Sequence, residues 1–236
     1  MKLLLLLFGG LKFGKLLTTV GTMLLSIAVY AWIFGIWYAV GFVALIFVHE
    51  MGHYIAARRR GLNVGAPTFI PFVGAWIELR DLPHDAETEA YVGLAGPLLG
   101  SIGALVCFYL ARSTGSPLLL ALAYSGFFLN LFNLIPLSPF DGGRVTAAIS
   151  PKLWFVGVPL LLGLFIYSPS PLLILMALLA APNVMKAWRG MRSPQEQAYY
   201  MVRPETRLSY AAAYLGLAAF LAIMCEQLHS ELPHSR

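Results

Sequence analysis

Long uncharged stretches separated by short clusters of basic residues dominate this chain. Residues 16–48 contain no charged side chain. A single helix of that length would measure about 50 Å, whereas the hydrocarbon core of a bilayer is about 30 Å thick. The stretch therefore predicts two membrane spans that meet near Gly35. The second continues through His53 and stops at the three arginines of residues 58–60.

Later stretches continue the same pattern. Residues 90–111 predict a third span, and residues 113–140 contain a fourth. Residues 153–185 are also uncharged, but the Ser-Pro-Ser-Pro sequence at residues 168–171 interrupts them, so they predict either two tilted helices or a re-entrant pair. Residues 208–225 form a last candidate. These stretches predict an all-α polytopic membrane protein with about six or seven transmembrane helices.

The segment between the second and third spans has a different pattern. Residues 61–80 are apolar but contain Gly65, Pro67, Pro71 and Gly74, which disfavour a helix. Two extended runs within this segment, residues 64–70 and 73–79, predict a small β-hairpin that dips into the membrane from the cytoplasmic side. Non-helical backbone at that depth must be buried in protein or line a cavity. The alternative is an ordinary cytoplasmic loop.

The composition supports the bilayer as the solvent of this protein. Hydrophobic residues make up 59% of the chain and charged residues only 11%, and the mean hydropathy is +0.75. A soluble domain carries about 25% charged residues. The formal net charge is +5, but the basic residues lie beside the apolar stretches, as charges that flank membrane spans do. We therefore expect no nucleic-acid partner.

The basic residues also predict an orientation. Lys12 and Lys15 precede the first span, the arginines at residues 58–60 follow the second, and Arg144 follows the fourth, whereas Arg112 is the basic residue of the opposite loops. Because cytoplasmic loops carry an excess of lysine and arginine, the N-terminus is expected in the cytoplasm. We predict a multi-pass protein of the cell (inner or plasma) membrane whose active-site opening also faces the cytoplasm.

His49, Glu50 and His53 form an H-E-x-x-H sequence at the end of the second span. Residues four apart lie on one face of a helix, so both imidazoles can bind one ion. Glu50 can then reach a water beside that ion and act as general base. Ionisable residues inside a span cost roughly 2.5–3.5 kcal/mol each at its centre, and a zinc ion would compensate that cost. The alternative is a helix end at which these side chains only reach water.

A catalytic zinc site uses three protein ligands, so a third ligand is needed. Asp141 directly follows the uncharged residues 113–140, where a carboxylate is costly without a partner. Gly142 and Gly143 after it allow a close approach of the backbone. Asp141 is therefore the preferred third ligand, although it could instead cap the next helix. The other candidate ligands are Glu78, His84, Glu87 and Glu89.

Two motifs together resemble the site-2 protease family. One is His49-Glu50-x-x-His53, and the other runs from Asn133 through Pro136 to Asp141-Gly142-Gly143. Gly96-Pro97-Leu98 is also similar to that family's pattern, although Gly100 stands where an asparagine is common. The resemblance covers residues 40–144.

The resemblance implies a role for each part of the motifs. Asp141 would be the third zinc ligand, Glu50 the base, and the hairpin the receiver of substrate. Asn133 would help to hold the substrate backbone, although an asparagine that bonds its own helix is an equally good interpretation.

These inferences predict an intramembrane zinc metalloprotease with one Zn²⁺ per chain. Its partner would be a single-span membrane protein, cut within or near its transmembrane segment, and its oligomeric state is open. We divide the chain into an N-terminal interfacial segment (1–15), a catalytic membrane core (16–152), and C-terminal membrane helices with a tail (153–236). The alternatives are a membrane-anchored metalloprotease that cuts outside the bilayer with a glutamate ligand, and a non-catalytic scaffold or metal transporter.

Overall fold

A computed structural model describes residues 2–72, 74–79, 83–190 and 193–232. Within these residues the chain forms nine α-helices and one two-stranded sheet. In chain order the elements are α1 (Lys2–Phe34), α2 (Ile36–Arg59), β1 (Val64–Ile70), β2 (Gly74–Leu79), α3 (Ala86–Thr114), α4 (Pro117–Asn133), α5 (Asp141–Ile149), α6 (Trp154–Tyr167), α7 (Pro171–Arg189), α8 (Pro194–Tyr199) and α9 (Pro204–Glu231). A short 3-10 helix, Pro151–Leu153, precedes α6.

The helices confirm the predicted fold class. Among the described residues, five helices are long and apolar enough to cross a membrane: α1, α2, α3, α7 and α9. Helix α4 and the segment Pro151–Tyr167 are apolar but shorter, at 10–17 residues. The chain is therefore a multi-pass helical membrane protein with a small hairpin, and the count of six or seven spans stays a prediction.

Most predicted boundaries lie close to those in the structure. Helices α1 and α2 meet at Gly35, and α2 ends at Arg59 inside the basic triplet. Asp85 caps α3, because its side chain accepts a hydrogen bond from the backbone N–H of Thr88. Helices α6 and α7 are separated at residues 168–170, as the prolines predict. Helix α1 runs without a break past residue 15, and the three-part division of the chain stays a prediction.

Helices α2 and α3 form the centre of the molecule. Residues of α2 and α3, with Leu62 between them, pack as one apolar cluster, and α3 packs on its other side against α4 and α9. That second cluster includes the fully buried Phe127 of α4 and Leu221 and Leu228 of α9, and the Phe127 ring contacts the Phe220 ring of α9. Helices α6 and α7 form a separate apolar cluster with the stretch that precedes α5 and with Ala147 of α5. Helix α2, which carries the H-E-x-x-H sequence, is therefore packed between neighbouring helices.

The predicted hairpin is present, and α1 holds one of its strands. Strands β1 and β2 pair antiparallel. Thr19 Oγ1 of α1 donates a hydrogen bond to Pro67 O at 2.6 Å, and Thr22 Oγ1 accepts one from Phe69 N at 3.1 Å. Just after β1, Phe72 N donates to Tyr30 Oη at 2.9 Å. The side of β1 that faces away from β2 is thus bonded to α1. The depth of the hairpin in the membrane and its cytoplasmic side stay predictions.

Candidate metal centre

The last turns of α2 bring three ionisable side chains together inside the protein. His49, Glu50 and His53 are 4%, 8% and 7% exposed. Each offers a ligand atom, and these atoms all lie within 4.8 Å of one another. The spacing of one helical turn places both imidazoles on the same face, as the sequence predicts. Nε2 of His53 lies 3.1 Å from Nε2 of His49.

Asp141 reaches the same point from a distant part of the chain. After α4 ends at Asn133, a non-helical stretch leads back to α5, and Tyr214 Oη of α9 donates to Leu134 O in that stretch at 2.6 Å. Asp141 is the first residue of α5, and the N-cap position belongs to Phe140. The Asp141 carboxylate is 7% exposed, and its Oδ2 lies 3.2 Å from Nε2 of His49 and 3.2 Å from Nε2 of His53. In the structure Asp141 faces the histidines and does not cap its helix.

The outer nitrogen of each histidine ring is also bonded. His53 Nδ1–H donates to Val92 O at 2.8 Å, and His49 Nδ1–H donates to Asn130 Oδ1 at 2.8 Å. With Nδ1 as the donor on each neutral ring, Nε2 carries a lone pair. Two such lone pairs and the Asp141 oxygen therefore converge in a buried space. A single proton between them could serve only one pair of atoms, whereas a cation would serve all three.

These three atoms fit a zinc ion. Two histidines and a carboxylate are a donor set that catalytic zinc sites use, with bonds of about 2.0–2.2 Å. Tetrahedral bonds of that length place the ligand atoms roughly 3.3–3.6 Å apart. The observed spacings of 3.1 and 3.2 Å are close to this range.

Helix α3 forms the back of the site through a close approach. Gly96 lies against the His53 imidazole, and a Cβ at this position would clash with the ring. Gly96 itself is buried. The side chain of His53 is therefore confined between α3 and Asp141, with Nδ1 held by the α3 carbonyl of Val92.

The site lies at the wall of a large apolar cavity of about 660 Å³. Helices α1 to α7 and strand β2 contribute to it. Besides His49, Glu50, His53 and Asp141, its lining includes Tyr30, Phe42, Ala75, Phe128, Phe132, Asn133, Arg144, Leu172 and Met176. Arg144 lies three residues after Asp141, and this spacing puts both on one face of α5. In the sequence Arg144 served only to predict orientation.

The other predicted site residues lie in different surroundings. Asn133 lines the cavity, and its Nδ2 donates to Leu129 O of its own helix at 3.0 Å. A contact of Asn133 with substrate stays a prediction.

The alternative glutamate ligands have other partners. Glu89 accepts a hydrogen bond from Tyr199 Oη at 2.6 Å, and Glu87 lies 4.0 Å from the Arg60 guanidinium. These two glutamates are thus engaged elsewhere. The side chain of Glu78 lies outside the described residues.

Sequence reasoning overlooked Asn130, which contacts His49 directly and is 1% exposed. It lies one helical turn before Asn133 in the same apolar span. Its position in an apolar span could have indicated a role, because burying an amide costs free energy unless it has a hydrogen-bonding partner. The family pattern drew attention to Asn133 instead.

Part of this chain is similar to known zinc metalloproteases. Residues 37–116 match Peptidase family M50, a segment that includes His49, Glu50 and His53 and ends before Asp141. A zinc metalloprotease of Methanocaldococcus jannaschii is 34% identical over 125 residues, which cover 50% of this chain and 36% of that protein. A Mycobacterium tuberculosis protein named as a zinc metalloprotease is 33% identical over 132 residues, which cover 51% of this chain and 33% of that protein.

The chain spans about a third of the length of these curated relatives. Among solved structures, a site-2 protease from Methanocaldococcus jannaschii aligns with a TM-score of 0.47 and 25% identity. That alignment covers 77% of this chain and 87% of the other.

Replacing Asp141 by asparagine tests the donor set. Asp141→Asn keeps the size of the side chain but removes the charged oxygen that lies 3.2 Å from both imidazoles. We expect zinc affinity to fall by more than the roughly 10–100-fold that loss of a supporting hydrogen bond costs at such sites. Metal analysis of the purified protein after dialysis against a weak chelator measures this. Glu205→Gln, which removes an exposed carboxylate from α9, is the control. Equal zinc content in both variants would remove Asp141 from the site.

Proposed function

We propose, from the premise that this chain carries a domain of peptidase family M50 over residues 37–116, that it is a zinc metalloprotease acting inside the membrane. The domain confirms the resemblance drawn from the motifs. The proposed reaction is hydrolysis of a peptide bond within or near the transmembrane segment of a single-span membrane protein. The observation that carries the proposal is the meeting of His49, His53 and Asp141 beside Glu50, at the wall of an apolar cavity within a bundle of membrane helices.

His49, His53 and Asp141 would hold one zinc ion per chain. When bound, zinc supplies a Lewis acid that polarises a peptide carbonyl and makes water a nucleophile near neutral pH. The histidines supply neutral nitrogen ligands and Asp141 supplies the negative charge. Because all three are buried, their electrostatic contribution is not weakened by solvent as it would be at a surface.

Glu50 would handle the protons. Its carboxylate belongs to the same cluster as the two histidines and also lines the cavity. It would accept a proton from the attacking water as the oxygen bonds to the carbonyl carbon. It would then give that proton to the leaving amine nitrogen as the C–N bond breaks. The other carboxylates named as possible ligands, Glu87 and Glu89, contact Arg60 and Tyr199 instead. These contacts favour a zinc site with Asp141 as its third ligand over the alternative site with a glutamate ligand.

The cavity suits an unwound segment of an apolar helix. A peptide bond inside a helix is shielded by the turn around it, so the substrate must unwind before it is cut. Its freed backbone groups then need hydrogen-bonding partners in a space with little water. An exposed strand edge supplies such partners by strand addition. Strand β2 lies at the cavity through Ala75, and Asn133 lines the same cavity from α4.

The register of the hairpin supports a specific choice of β2 groups for the proposed pairing with substrate. Phe69 pairs with Ala75, and Pro67 pairs with Ile77. Because Phe69 N and Pro67 O bond to α1, these backbone groups point away from β2. In an antiparallel ladder both residues of such a pair direct their backbone groups outward. The backbone N–H groups of Ala75 and Ile77 therefore point to the outer edge of β2, where we propose that the substrate strand adds.

Glu50→Gln tests the proton step. The amide keeps the shape of the side chain but cannot accept the proton. We expect kcat to fall by roughly 10²–10⁴-fold or more, with zinc content unchanged. Cleavage of a single-span membrane protein in detergent or liposomes, with metal analysis of the same sample, measures both quantities. Glu226→Gln removes an exposed carboxylate from α9 and should cleave like the wild type. Activity within tenfold of wild type for Glu50→Gln would assign the proton to another group.

A proline at Ala75 tests strand addition. Ala75→Pro removes an outward N–H from β2 and leaves the pairing of Trp76 with Thr68 in place. One lost hydrogen bond of about 0.5–1.5 kcal/mol corresponds to a roughly 2–10-fold lower kcat/KM. Zinc content should not change. Ala75→Ser retains the N–H at similar size, so it should lose less activity than Ala75→Pro. If the two variants cleave equally well, the edge of β2 does not pair with substrate.

Orientation can be checked with single cysteines in a background without Cys107 and Cys225. Asn63→Cys lies after α2 and Ser113→Cys near the end of α3, both at exposed positions. We expect an impermeant thiol reagent to label residue 113 but not residue 63 in intact cells, and both in lysed cells. The reverse pattern in intact cells would invert the proposed topology.

A further inference from the structure

We propose that Asn130 is the positioning residue of the metal centre, and that Gly100 on α3 exists at its position to make room for it. Asn130 does not face the ion itself. It would orient His49, so that Nε2 of His49 points at the place where the ligand atoms converge. The inference rests on the proposed zinc site. Neither Asn130 nor Gly100 belongs to the family motifs that this chain matches.

Both ends of the Asn130 amide are held. Nδ2 donates to Gly126 O of the same helix at 2.7 Å. A carbonyl oxygen can only accept, so the amide nitrogen must face Gly126, and the amide oxygen must face His49. Oδ1 lies 2.8 Å from His49 Nδ1. The amide thus selects the ring form with the proton on Nδ1, which leaves the lone pair on Nε2.

The two histidines are held by different kinds of partner. His53 Nδ1–H donates to a backbone oxygen, Val92 O, which any side chain at residue 92 would provide. His49 Nδ1–H donates to a side chain from another helix. The orientation of His49 therefore depends on the identity of residue 130. A mutation of Asn130 removes this hydrogen bond without altering either histidine ligand.

Gly100 supplies the space that the amide occupies. A Cβ at residue 100 would clash with Oδ1, Nδ2 and Cγ of Asn130. Gly100 is buried, and Asn130 is 1% exposed, so neither side can relax toward solvent. A methyl group on α3 would therefore displace the amide and, through it, the His49 ring. Residue 100 would influence zinc binding through the Asn130 amide.

The measurement is zinc affinity by chelator competition on the full chain, which does not depend on cleavage. Asn130→Leu, similar in shape but unable to accept a hydrogen bond, should bind zinc roughly 10–100-fold more weakly. Asn130→Asp keeps an acceptor for Nδ1–H and should bind zinc more tightly than Asn130→Leu. Ser101→Ala is the matched control, since Ser101 is buried beside Gly100 and bonds only to Pro97 O of its own helix in the part of the chain that the structure describes.

A double-mutant cycle separates positioning from simple packing. Gly100→Ala should weaken zinc binding in the wild-type background, because the amide is displaced. In the Asn130→Ala background the amide is gone, so Gly100→Ala should weaken binding no further. Cobalt absorption spectra of the same variants should show a changed ligand field for Asn130→Leu and for Gly100→Ala, and an unchanged one for Ser101→Ala.

Two results would overturn the proposal. One is zinc affinity within twofold of wild type for Asn130→Leu. The other is an equal loss from Gly100→Ala with and without Asn130. A wild-type chain that binds zinc but cleaves no membrane protein would contradict the proposed activity. The affinity comparison would still decide the role of Asn130.

Discussion

The approach of one carboxylate to two imidazole nitrogens is the contact on which the rest of this structure depends. Asp141 Oδ2 lies 3.2 Å from both Nε2 atoms, and all three side chains are buried. Such a group is costly within a membrane helix bundle unless a positive charge compensates it. The fold accordingly holds each ring from its far side, His53 through a carbonyl of α3 and His49 through an amide of α4. The hydrogen bonds to the outer ring nitrogens therefore orient both imidazoles toward the buried carboxylate.

That arrangement constrains the helices around it. Because α3 approaches His53 at Gly96 and the His49 partner at Gly100, α3 needs its small residues at these positions. Its buried face is built mainly from alanine and glycine. Small residues are also what lets membrane helices pack closely without a hydrophobic driving force between them. Both the metal site and the packing of the helices therefore require small residues on the buried face of α3.

The sequence predicted the features that depend on short-range rules. Uncharged stretches, the basic triplet after α2 and the proline-rich break between α6 and α7 each mark a boundary that the structure reproduces within a few residues. The H-E-x-x-H spacing likewise places His49 and His53 on one helical face without knowledge of the fold. The hairpin followed from glycine and proline positions in an otherwise apolar segment.

Other features depend on contacts between distant segments, and these could not be derived from the residues alone. Asp141 was one of several possible ligands until a family resemblance favoured it. Asn130 and Asn133 lie three residues apart in the same apolar span, so the cost of burying an amide does not distinguish them. Only the rotation of α4 against α2 and α3 puts Asn130 next to His49 and Asn133 at the cavity. Likewise, no local pattern indicates that hydroxyl groups of α1 bond to β1.

The hydrogen bonds between the α1 hydroxyl groups and the hairpin stabilise the hairpin. Two strands alone are marginally stable, and a third partner is needed to give them a lasting shape. Here Thr19, Thr22 and Tyr30 make α1 that partner. A displacement of α1 would therefore carry β1 with it. The ligands of the metal centre lie on α2 and α5, so the hairpin is joined to α1 through these bonds and not through the metal site.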